Sequence, residues 1–89
     1  FVASSARRLT TMEDDARSGQ REDVKREAHS MKSAAAMLGF TALSEQAREL
    51  EREAVGLDHE ELVRRIALLA TTFRDVEQRS RAMVQTLAA

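Results

Sequence analysis

The chain has 89 residues, no cysteine, no proline and three glycines, with 14 basic side chains against 15 acidic ones and a formal charge of −1. That is one domain's worth of chain, and its core must be small, because a fold of this size buries only about 60–65% of its unfolded surface. A near-neutral balance with three Phe, no Tyr and no Trp argues against a nucleic-acid binder, which would show a basic face and usually stacking aromatics, and the lack of cysteine excludes a disulfide framework or a zinc–thiolate site and fits a reducing compartment.

Ala, Leu, Glu and Arg dominate, a third of the residues are charged, and apolar residues recur at helical spacing. The chain therefore reads as all-α, and nothing in it reads as strand. Gly19, Gly39 and Gly56 divide it into four helices, since glycine just beyond a helix takes the left-handed conformation without steric cost. The first helix is predicted over residues 1–18, with Val2, Ser5 or Ala6, Leu9, Met12 and Ala16 inward. The second is predicted over 21–38, with Glu22 and Asp23 near its N-terminus, where the helix dipole favours acids. Its apolar stripe is Val24, Ala28, Met31, Ala35 and Leu38.

The third helix is predicted over 41–55, with Thr41 as N-cap and Leu43, Ala47, Leu50 and Ala54 inward. The fourth is predicted over 58–88. Asp58 and Glu61 open it in a pattern close to a capping box, and its stripe is Leu62, Ile66, Leu69, Phe73, Val76, Ser80, Met83 and Leu87. Connections this short force consecutive helices to be antiparallel neighbours. Four amphipathic stripes joined that way bury one another in an antiparallel up-down-up-down four-helix bundle spanning 1–89 as a single domain.

His29 stands apart from this pattern. It lies off the apolar stripe, on the opposite face of the second helix with Lys25, Lys32 and Ala36, and small side chains at Ser33 and Ala36 follow it by one and two turns. A solvated histidine with a lysine one turn away and a bare surface above it is arranged to be reached by another macromolecule. That points to nucleophilic chemistry rather than packing.

The segment Ala28-His29-Ser30-Met31-Lys32-Ser33-Ala34-Ala35, Gly39 ten residues after the histidine, then Phe40-Thr41-Ala42-Leu43 and Ala47-Arg48-Glu49-Leu50-Glu51 resembles the histidine-containing phosphotransfer (HPt) domains of bacterial phosphorelays. Those motifs cover about a quarter of the chain, and the four-helix pattern extends the likeness to all of it. Two positions depart from the family's usual pattern: Ser33, where glycine is commonest, and Met37, bulkier than the small residue usual there.

The resemblance implies that His29 takes a phosphoryl group from an aspartyl phosphate on one receiver domain and passes it to another. A neutral imidazole is a competent nucleophile near pH 7, and phosphoryl transfer requires mainly positioning and charge neutralisation. The magnesium and the acceptor carboxylate belong to the receiver, so the chain itself needs no cofactor. Lys32 would supply a cation to the transferring group, while Lys25 and Arg26 add a diffuse positive field. Glu51, 22 residues after His29, falls where the family often places a polar side chain that hydrogen-bonds the imidazole, and Arg48 one turn earlier is the alternative for that contact. Lys25, Ser33, Ala36, Met37 and Arg48 would meet the partner, a response-regulator receiver domain or a hybrid histidine kinase carrying one.

Against this stand plainer readings. His59 belongs to the start of the fourth helix, and Met12, Met31 and Met83 fill the core. His29 and His59 are the only imidazoles, and no His-x-x-x-His or Glu-x-x-His spacing offers a metal site. The phosphoacceptor and dimerisation domain of a sensor histidine kinase would have an acid directly after the histidine and a proline nearby; here Ser30 follows and proline is absent. A scaffold bundle that binds receivers without phosphorylation is the other alternative, and the presence of both His29 and Lys32 argues against it. The expectation is a carrier without autonomous kinase activity. No apolar run approaches the ~20 residues of a membrane span and no signal-peptide pattern opens the chain, so a soluble, cytoplasmic, monomeric domain without membrane contact is expected. The start at Phe1 rather than Met suggests a piece of a longer polypeptide.

Overall fold

Two glycines set the course of the chain. Gly19 and Gly39 have φ of +77° and +80°, and each completes the same helix-ending motif. The Gly19 and Gln20 amides donate to the carbonyls of Ala16 and Asp15 (3.3 and 2.7 Å), and those of Gly39 and Phe40 donate to Ala36 and Ala35 (3.2 and 2.9 Å). Both are Schellman motifs, in which a left-handed glycine lets its own amide and the next one satisfy carbonyls that the helix end would otherwise leave free. In a computed structural model, which describes residues 2–88 and the side chains of 3–82, the chain forms α1 (Val2–Arg17), α2 (Arg21–Met37), α3 (Thr41–Glu53) and α4 (His59–Ala88).

Three-residue links at 18–20 and 38–40 leave no room for anything but antiparallel neighbours. The helices pack as a four-helix bundle in which α1 lies on α2 and α4, and α3 on α2 and α4. Its longest dimension, 46 Å, matches the about 45 Å expected of the 30-residue α4.

The core consists of the expected stripes. Leu9, Met12 and Ala16 of α1, Val24, Ala28, Met31 and Ala35 of α2, Leu43, Ala47 and Leu50 of α3, Ala54 just beyond it, and Leu62, Ile66, Leu69 and Phe73 of α4 are all buried, with Phe40 and Leu57 packed against them. Ser5, not Ala6, is the inward residue of the first turns. Val76 and Ser80 are half-buried. The side chains of Val2, Met83 and Leu87 lie outside the described residues.

Four local expectations require correction. Leu38 is 54% exposed rather than inward, because α2 ends at Met37 and the left-handed Gly39 swings Phe40 into the core in its place. Thr41 is the first residue of α3 and not its cap; Phe40 holds the cap position, without a side-chain hydrogen bond. Gly56 does not take positive φ: α3 stops at Glu53, and the chain leaves through a turn closed by the Gly56 and Leu57 amides on the Glu53 carbonyl (3.0 and 3.1 Å). The capping box at α4 is half made. The Glu61 amide donates to Asp58 Oδ1 at 2.8 Å, but the Glu61 carboxylate turns to Arg64 and Arg65.

Charged side chains tie the α3–α4 end together. Arg21, at the start of α2, donates to the carbonyl of Ala54 at 3.1 Å and also to that of Leu57, a cation placed on free carbonyls at a helix C-terminus. Arg65 of α4 reaches Glu53 of α3 at 2.7 Å. Among the described residues, no helix is long and apolar enough to cross a membrane.

Candidate functional site on the α2–α3 face

Burial of Val24, Ala28, Met31 and Ala35 turns the opposite side of α2, carrying Lys25, His29, Ser33 and Ala36, to solvent. On α3, burial of Leu43, Ala47 and Leu50 leaves Ser44 and Glu51, seven residues and about two turns apart, on the flank that meets α2. Both make their contact there. Ser44 donates its hydroxyl to the Lys32 carbonyl at 3.2 Å.

Glu51 makes two contacts. Its Oε1 lies 2.7 Å from Nδ1 of His29, and its Oε2 lies 2.7 Å from Nζ of Lys32. The imidazole remains open to solvent, its side chain 59% exposed, whereas Glu51 and Lys32 are about as covered as each other at 20% and 27%. The Lys32 hydrogen bond, followed by that of His29, holds the Glu51 carboxyl below its ordinary value, while partial burial opposes them. Glu51 is therefore ionised near neutral pH and can only accept hydrogen bonds. In the neutral imidazole the proton must then sit on Nδ1, which leaves the Nε2 lone pair free.

The other residues expected at this face are distributed along it. Lys25, Ser33 and Ala36 are exposed, and Met37 is 87% exposed beside the exposed Leu38. Ala36 and Arg48 line an open groove of about 280 Å³ with Gly39, Thr41, Ser44 and Glu45. The groove continues the α2–α3 face beyond Lys32 toward the interhelical turn. Arg48 is exposed, and among the described residues it is Glu51, not Arg48, that bonds to His29.

Sequence reasoning left two features of this arrangement unread. One is the Lys32–Glu51 ion pair, which joins His29, Lys32 and Glu51 in a single unit. The other is Ser44, whose spacing of seven from Glu51 is the signal that places both on one flank of α3. His59 opens α4 and is exposed. Among the described residues no group of three or more His, Cys, Asp or Glu could hold a metal ion.

The arrangement presents an exposed nucleophilic nitrogen, a carboxylate that sets its tautomer, and a cation within a helical turn. The family model described as Hpt domain matches residues 1–89. No curated protein and no solved structure matches the chain with significance.

Proposed function

The chain belongs to the Hpt domain family, phosphotransfer domains of phosphorelays that interact with receiver domains, and from that premise we propose that His29 Nε2 is the atom that carries the phosphoryl group. It takes the group from the aspartyl phosphate of one receiver domain and yields it to the aspartate of another. The observation that carries this reading is the 2.7 Å contact between Glu51 and Nδ1 on a ring that stays open to solvent. A carboxylate that holds the proton on the inner nitrogen leaves the outer one as the nucleophile.

Lys32, one turn from His29, neutralises charge on the transferring group, and Glu51 orients the ring. Lys25, Ser33, Ala36, Met37 and Arg48 form the surface on which a receiver, including that of a hybrid histidine kinase, settles. The metal and the second carboxylate of the reaction come with that receiver. The domain works as a carrier in the cytoplasm, and the purified chain takes no label from ATP.

Incubation with a phosphorylated receiver tests the assignment. The label should be acid-labile and base-stable, as a phosphoramidate is, and His29→Gln should abolish it. That variant should fold normally, since the residue is exposed and such changes typically alter stability by about 0.5 kcal/mol or less. Label that survives His29→Gln refutes the assignment.

A further inference from the structure

Glu51 touches two groups, and only one of them needs it before transfer. If its task ended with orientation of the ring, any acceptor would serve, since the carbonyl oxygen of a glutamine receives an Nδ1–H as readily. What Glu51 adds is a full negative charge, which in the resting site is balanced by Lys32 at 2.7 Å.

The electron count of the reaction shows where that charge acts. The Nε2 lone pair forms a bond to phosphorus while the bond from phosphorus to the donor aspartate breaks, and its electron pair returns to the donor as carboxylate. The Nδ1 proton does not move. A ring that was neutral thus becomes a phosphorylated imidazolium. In the onward step the acceptor carboxylate attacks phosphorus, the Nε2–P bond breaks, and the ring leaves as neutral imidazole. Were Nδ1 to lose its proton in between, the ring would have to leave as an anion, and the phosphoryl group would be stranded.

We infer that Glu51 acts on the phosphorylated state: its charge retains the Nδ1 proton and so keeps the phosphoryl group transferable, with the cationic ring replacing Lys32 as its counter-charge while Lys32 turns to the phosphoryl oxygens. This rests on the proposed role of His29. The groups around the ring support it. On α2, Lys25 and Lys32 lie one turn to either side, Arg26 is paired with Asp23 at 2.8 Å, and Glu27 is paired with Arg8 of α1 at 3.7 Å. On α3, Arg48 and Arg52 are exposed near Glu51. Among the described residues, Glu51 is the one carboxylate paired with His29, and the charges that flank the ring along its own helix are cations that would expel the proton.

Phosphoramidate, a small phosphoryl donor, loads the whole chain without a receiver. Ring protonation in the phosphorylated protein is followed by ³¹P and ¹H–¹⁵N NMR from pH 6 to 9, with the ring of unphosphorylated His59 as reference in the same molecule. Glu51→Gln should let the phospho-His29 ring lose its proton about one pH unit lower than in the wild type, the lower end of what a nearby opposite charge produces. The ratio of transfer rates to a receiver at pH 8.5 and pH 6 should fall by up to about tenfold. Lys32→Met, which removes the competing cation, should move the ring proton the other way. The His59 reference should move in neither variant. Titration of phospho-His29 in Glu51→Gln at the wild-type pH overturns the inference and leaves Glu51 an orienting group only, with the role of His29 untouched. Failure of His29 to take the phosphoryl group at all overturns both.

Discussion

The ammonium of Lys32 sits 2.7 Å from Glu51 Oε2, on the opposite carboxylate oxygen from the one that meets His29. Lys32 and Glu51 therefore cannot act independently. Lys32→Ala should slow transfer by roughly 5- to 150-fold, the ~1–3 kcal/mol typical of one electrostatic contact in a transition state. Glu51→Ala should slow it less. The double variant should lose less than the product of the two, since each single change leaves the other charge unbalanced. Single-turnover transfer rates for the four proteins measure this. Transfer by Lys32→Ala at the wild-type rate would reduce the lysine to a partner of Glu51.

Ser33 is exposed one turn beyond His29, and its side chain covers surface beside the imidazole. Ser33→Gln should leave thermal stability nearly unchanged, because glutamine is at least as good a helix former. It should nonetheless weaken receiver binding and slow transfer. Ser33→Gly should retain transfer at a modest loss of stability. Equal impairment by both would assign the effect to the hydroxyl, and normal transfer by the glutamine variant would place the receiver on another side of the ring.

Acid should unfold the domain in part through two carboxylates. Glu61 is held down to about 2 from its ordinary 4.5, first by Arg64 and then by Arg65, and Glu51 is lowered by Lys32 and then His29. The folded state thus binds these protons less readily than the unfolded chain. Their stabilisation is complete above about pH 4.5 and is lost as pH falls through the lower folded values. Asp15 has the opposite sign: burial, then Asp23 and Asp14, raise its carboxyl, so Asp15→Asn should stabilise at pH 7 and do nothing at pH 2. Melting temperatures between pH 2 and 7 should show a shallower acid limb for Glu61→Gln than for the wild type. Identical limbs would mean that solvent screens the Glu61 cluster completely.

Arg21 makes a structural contact far along the chain, its guanidinium on the carbonyls of Ala54 and Leu57. Arg21→Met keeps the apolar stem and removes the donors. A loss of about 1–2 kcal/mol is expected for half-buried charged hydrogen bonds, or roughly 4–16 °C in Tm for a domain of this size. Transfer per folded molecule should not change, because Arg21 lies eight residues, about 12 Å along α2, from His29. A Tm within 1 °C or so of the wild type would show that water replaces the arginine.

Most of the bundle could be read from residue spacing, since burial imposes the 3.6-residue period directly. The stripe from Leu62 to Phe73 was legible for that reason. Helix ends were less so. Leu38 continues the apolar period of α2 yet lies outside, because a turn takes over there and periodicity cannot see it. Gly56 looks like Gly19 and Gly39 in composition, but φ depends on the carbonyls that the following amides can reach. At the site, His29 and Lys32 share one helix and their proximity follows from sequence. Whether Glu51 or Arg48 meets the ring depends on the rotation of α3 against α2, which no spacing within either helix contains.

That rotation is decided at Leu38, Gly39 and Phe40. With three residues between the helices and all three of their amides committed to α2 carbonyls, the angular phase of α3 is inherited from α2. One residue inserted there would break that fixed phase and carry Glu51 out of line with His29 and Lys32. It would spare each helix's own amphipathic pattern. The turn thus works as an index mark between two gears: it takes no part in the chemistry ten residues away, yet it sets which teeth meet.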